Sequence, residues 1–211
     1  MISGIICLLA SVAVYFQQES ELYLKLFPVF LLLSNIVQNI GSFLAVHNEA
    51  NVFLYNIYSV IEFTFYFFIL SQIIRDTKMK KIIFYVLWIY PLFAILNVFV
   101  IRGTPSFHSI AYASGSLMVV GFCVFYFYEL FQFPHSNSLL RDPAFWICTA
   151  IVFNNCLTFP LASFAIFIHN PSRFIVQNVV IIQNIINIFS YLLLTIAFLC
   201  RIRIKKSMSS S

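Results

Sequence analysis

The chain has 211 residues, of which 62% are hydrophobic and 9% charged, with a formal net charge of +5, and its mean hydropathy is +0.95. A soluble domain carries about 25% charged residues, and a core of this size cannot hide so much apolar surface from water. A soluble domain is therefore excluded, and lipid is the expected solvent. The positive charge sits in a few loops and the tail, so it reads as membrane topology and no nucleic-acid partner is expected.

A membrane-crossing helix needs about 20 mostly apolar residues. The pattern predicts an all-α membrane protein with seven transmembrane helices, at about 1–17, 24–46, 52–74, 81–101, 108–131, 144–168 and 174–200. The segment Met1 to Phe16 could be taken for a signal peptide, but no Lys or Arg precedes Lys25, so it is read as the first span. Charged and turn-forming residues break the spans at Gln17–Glu21, His47–Glu49, Arg75–Lys78, Arg102–Pro105, Pro134–Asn137 and His169–Ser172. All connections are short. Residues 1–206 read as a single bundle and 207–211 as a polar tail.

Orientation follows from Lys and Arg. With seven spans, one side collects Lys25, Arg75, Lys78, Lys80, Lys81, Arg141, Arg201, Arg203, Lys205 and Lys206, and the other only Arg102 and Arg173. This predicts an outside N-terminus and a cytoplasmic C-terminus. A candidate 3+1+3 parallel repeat is also present. His47 is followed nine residues later by Asn56 and six further by Glu62, and His169 by Asn178 and Asn184 at the same intervals. An offset of four helices leaves both copies in one orientation, as parallel repeats require.

The polar residues within the spans are the candidate ligand-binding set. Asn35, Gln38, Asn39 and Ser42 share one face of the second span, at i, i+3, i+4 and i+7. The third span offers Tyr55, Ser59, Glu62 and Tyr66 on one face, with Asn56 beside them. The sixth carries Asn154, Asn155 and Thr158 before Pro160, which is expected to kink it. The seventh carries Gln177, Asn184, Asn187 and Tyr191. Tyr112 and Ser116 lie on the fifth span and Asn97 on the fourth. Most amides fall toward the outer ends, which predicts a polar cavity opening outward and ending near the midplane.

Glu62 is the acidic residue at mid-depth, and no Lys or Arg lies within a span to pair with it. Such a residue is costly in lipid and faces the bundle interior. One reading is a proton- or cation-coupled site, or a counter-charge for a cationic ligand. The other is a neutral Glu hydrogen-bonded to neighbouring amides, holding helices together. The Asn and Gln stripes have the same structural alternative.

Cys7, Cys123, Cys148, Cys156 and Cys200 all fall in apolar segments with no CxxC pair, so they read as small buried hydrophobes. His47, His108 and His169 sit at outer ends without HxH or HxxxH spacing. No metal or cofactor is expected. No GxSxG or HExxH is present, no Asp lies within a span, and the last span has no Lys for a Schiff base.

Leu54–Ser59 with Ile61-Glu62-Phe63, then Tyr126–Leu130 and Pro143–Trp146, resemble segments of a group of small multi-pass proteins of Bacteroidota. That resemblance implies a bacterial inner (cytoplasmic) membrane location and carries over no functional residues. The seven-span layout is similar to that of the SWEET and semi-SWEET sugar transporters, but their Pro-Gln signature is missing, so the similarity is one of architecture. The leading expectation is a non-enzymatic bundle that binds a small polar or cationic solute, for transport or sensing. The alternatives are a structural or signalling subunit that acts through a partner membrane protein, and a lipid-modifying enzyme using Glu62 as acid or base.

Overall fold

The computed structural model describes residues 2–12, 14, 21–47, 50–98, 109–132, 139–167 and 173–208, with the side chains of 2, 109, 162–167, 173, 176 and 201–208 excluded. The described chain is helical, with no strands. The elements are α1 (Ile2–Val12), α2 (Leu22–Val46), α3 (Val52–Ile73), α4 (Thr77–Leu96), α5 (Ser109–Gln132), a 3-10 turn (Leu139–Arg141), α6 (Pro143–Phe167) and α7 (Arg173–Met208).

Six helices, α2 to α7, are long and apolar enough to cross a bilayer. Large hydrophobic side chains face outward along them. Trp88 is 65% and Leu92 64% exposed, an arrangement that suits lipid and not water. The described part of α1, 11 residues from Ile2 to Val12, reaches about 16 Å. Most of the predicted first span beyond Val12 lies outside the described residues.

Local chemistry explains the helix boundaries. Asp76 caps α4 by accepting a 2.8 Å bond from the Met79 amide, so the helix starts at Thr77, four residues before the expected span. The apolar run alone could not reveal that start, because the capped first turn carries Lys78 and Lys80. Asp142 caps α6 through the Ala144 amide at 2.9 Å, with Pro143 in the first position, where a missing N–H costs nothing. Helix α7 continues through the basic residues to Met208, past the point where the tail was expected. Cations are favoured at a helix C-terminus. Helices α2, α4 and α6 run on through Pro28, Pro91 and Pro160.

The chain forms two compact units, one of Val29–Phe122 and one of Met1–Pro28 with Cys123–Ser211. In the first, α2 and α3 make a hairpin. The Tyr58 hydroxyl donates to Ser34 Oγ at 2.9 Å, Phe30 stacks on Phe65 at 4.2 Å, and the Asn51 amide donates to the Gly41 carbonyl at 3.2 Å. A Cβ on Gly41 would collide with the Tyr55 ring, so glycine permits the close approach. Helix α4 packs on α3 through Tyr90, whose ring meets Phe63 at 5.7 Å and Phe67 at 5.3 Å.

In the second unit α6 pairs with α7, and α1 packs on α7. Across the α6–α7 pair, Ser190 Oγ donates to Asn154 Oδ1 at 3.4 Å and the Gln183 amide to Thr158 Oγ1 at 3.3 Å. The Tyr126 hydroxyl on α5 donates to Asp142 at 3.1 Å. Phe27 meets Phe198 edge-on at 5.5 Å.

Candidate functional site

Glu62 lies midway along α3, one turn before Tyr66. The Tyr66 hydroxyl donates to Glu62 Oε1 at 2.9 Å. The carboxylate is half-buried and has no ion-pair partner among the described residues. Tyr90 on α4 and Tyr112 on α5 lie within electrostatic range of it. Glu62 is therefore a carboxyl group bonded by one phenol, with two more within electrostatic range and no basic side chain against it among the described residues.

The aromatic cluster gives this corner its rigidity. The Phe63 ring is surrounded edge-on by Tyr66, Tyr90 and Tyr112, with centroids at 6.4, 5.7 and 5.3 Å. Tyr90 is fixed further because its hydroxyl donates to the Ala111 carbonyl at 3.2 Å. Gly115 makes this packing possible, as a Cβ there would stand 2.6 Å from the Tyr90 hydroxyl and 2.9 Å from Phe63 Cδ2.

The other expected residues of the Val29–Phe122 unit divide by exposure. Asn56 and Ser59 are buried on α3, and Ser59 donates to the Asn56 carbonyl at 3.0 Å. Tyr55, Asn35 and Gln38 are half-buried, and Asn39 is exposed. The α2 amides turn back on their own helix. Asn35 donates to the Leu31 carbonyl and Asn39 to the Asn35 carbonyl, each at 2.7 Å, while Gln38 reaches Ser34 Oγ at 3.4 Å. Buried Asn97 has no partner for its Oδ1 among the described residues.

In the other unit, Asn155 is buried and donates to the Ile151 carbonyl at 2.9 Å. Asn154 accepts from Ser190, Asn187 is half-buried, and Gln177 and Asn184 are exposed. His47 is exposed at the end of α2, and its Nδ1 lies 2.9 Å from the Phe43 carbonyl. His108 and His169 lie outside the described residues.

The structure groups Glu62, Tyr66 and Tyr112, which the sequence reading singled out, with Tyr90 and Gly115, which it passed over together with Ser34 and Ser190. Tyr90 stands in the run Trp88-Ile89-Tyr90-Pro91-Leu92 and gives no polar periodicity. A Tyr next to a proline in an apolar span was the available signal. No protein-family model, curated protein or solved structure matches this chain.

Proposed function

We propose that this membrane protein binds a small polar or cationic solute at Glu62, for transport across the membrane or for sensing. The single observation that supports this is a half-buried carboxyl group midway along an apolar helix, met by the Tyr66 hydroxyl and by no basic side chain among the described residues. An acid kept there without a cation is expensive in lipid unless it serves a proton or a ligand. Asn56, Ser59 and Tyr55 on α3 and Asn35, Gln38 and Asn39 on α2 complete the proposed polar path. It opens outward at the end of the α2–α3 hairpin near Asn51.

The proposal carries a topology. The bundle crosses the membrane seven times, with the N-terminus outside and ten of the twelve Lys and Arg residues on the cytoplasmic side. The membrane is a bacterial inner membrane. The amides of α6 are assigned to helix pairing, because Asn154 takes its bond from Ser190 on α7.

A second reading, a structural or signalling subunit acting through a partner protein, is favoured by the α2 amides. Their donors are spent on their own helix and on Ser34, which leaves less for a ligand. Glu62→Gln separates the two. Gln keeps shape and hydrogen bonding but cannot ionise. If it preserves folding and abolishes the phenotype of the parent in a deletion strain, the solute reading stands. Full activity of the Gln variant overturns it.

A further inference from the structure

Helix α7 carries two polar side chains on the face turned away from its neighbours. Its packed side holds Gln183 and Ser190, which bond to α6, and buried Ile186 and Ala197. Gln177, Ile181, Asn184 and Ile188 lie on the opposite side and are all exposed. They follow one another at i, i+4, i+7 and i+11, the alternating spacing of a helix–helix seam.

Asn184 lies about 10 Å along the helix from Gln177, inside the apolar span Gln177–Cys200. It therefore sits in hydrocarbon and not at the headgroups. Other exposed polar side chains settle this problem locally, by bonding to the carbonyl one turn back. Asn39 does so to Asn35 at 2.7 Å, Ser42 to Gln38 at 2.8 Å, and Asn178 to Phe174 at 2.8 Å. Asn184 and Gln177 have no hydrogen-bond partner among the described residues. Lipid suits Ile181 and Ile188 but offers an amide nothing.

We propose that this stripe of α7 is a homodimer interface, and that its occupant is α7 of a second copy of the chain. The chemistry selects that partner. Copies inserted in one orientation and related by a two-fold axis along the membrane normal bring two α7 helices together in parallel, so each residue near the axis meets itself at the same depth. A carboxylate or a lysine would repel its own image there. A carboxamide carries both a donor and an acceptor, so Asn184 satisfies Asn184 and Gln177 satisfies Gln177. Ile181 and Ile188 supply the packed layers between them. Glu62 lies in the other compact unit, and the features that point to this interface do not include it.

Two measurements test this on the full chain. In the first, copies carrying donor or acceptor fluorescent proteins at the C-terminus are mixed in lipid vesicles and diluted with lipid. Energy transfer above random proximity is expected. Asn184→Leu should weaken the association roughly 3- to 30-fold, Asn184→Gln should keep most of it, and Glu62→Gln should leave it unchanged. In the second, single cysteines are placed in a background lacking the native ones. Those at Ile181 or Asn184 should cross-link between copies far faster than one at Ile182, which is exposed but off the seam. Transfer no better than random, an Asn184→Leu variant that associates as tightly as the parent, equal cross-linking at Ile182, or cross-links only to a different protein would each overturn the proposal.

Discussion

The Tyr66 hydroxyl donates to the Glu62 carboxylate across one turn of α3, at 2.9 Å. A phenol one turn away from an acid holds the carboxyl group in one rotamer and leaves its second oxygen available. The pair can thus fix the acid without consuming it. The proposed function, in which Glu62 meets a proton or a cation, needs an acid held in this way.

Replacing Glu62 tests both halves of that statement. Glu62→Gln should fold like the parent, since the Tyr66 bond survives on the amide oxygen. Glu62→Leu should lose about 1–3 kcal/mol, because the buried Tyr66 hydroxyl loses the carboxylate it bonds. Thermal unfolding in detergent checks both, and equal stability of the Leu variant and the parent would remove the bond from the account.

Tyr66→Phe should cost less, about 1 kcal/mol, because the remaining carboxyl group keeps access to whatever else it meets. Its effect should fall on function, with weaker dependence on the solute and little change in unfolding temperature. A variant that unfolds at once would make Tyr66 a packing residue.

The glycines of α5 make a paired prediction. Gly115→Ala places a methyl 2.6 Å from the Tyr90 hydroxyl and 2.9 Å from Phe63 Cδ2, so it should destabilise by about 1–3 kcal/mol. Gly121→Ala meets nothing within 4 Å and should be neutral, or stabilising by up to about 1 kcal/mol from helix propensity. Equal effects at the two positions would contradict the close approach of α4 to α5.

Much of the fold could be read from hydropathy, because lipid imposes a length rule on each helix. The third span, expected at 52–74, is Val52–Ile73. The described part of helix α1 is Ile2–Val12, and of residues 13–17, expected in the same span, all but Val14 lie outside the described residues. The site was legible where one helix carries it, as with Glu62 and Tyr66 at i and i+4. It was not legible where two helices meet, as with Tyr90 and Gly115. Asn39 and Asn56 look alike in sequence, yet one is exposed and the other buried. A transmembrane helix is apolar on its packed face and its lipid face alike, so periodicity cannot separate them.

The proposed orientation makes its own prediction. A cysteine introduced at Thr77 should react with an impermeant maleimide only from the cytoplasmic side, and one at Thr104 only from outside. Labelling should be compared with the parent chain, in which Cys156 is exposed. The reverse pattern would overturn the charge argument.

The central claim is that Glu62 exchanges a proton or a cation, and infrared difference spectroscopy of the purified protein in lipid tests it most directly. Spectra are taken across a pH series and with and without an added organic ammonium ion. The account predicts a carboxyl band that changes with pH or cation in the parent and is missing from Glu62→Gln. Difference spectra that are the same in parent and variant would contradict it.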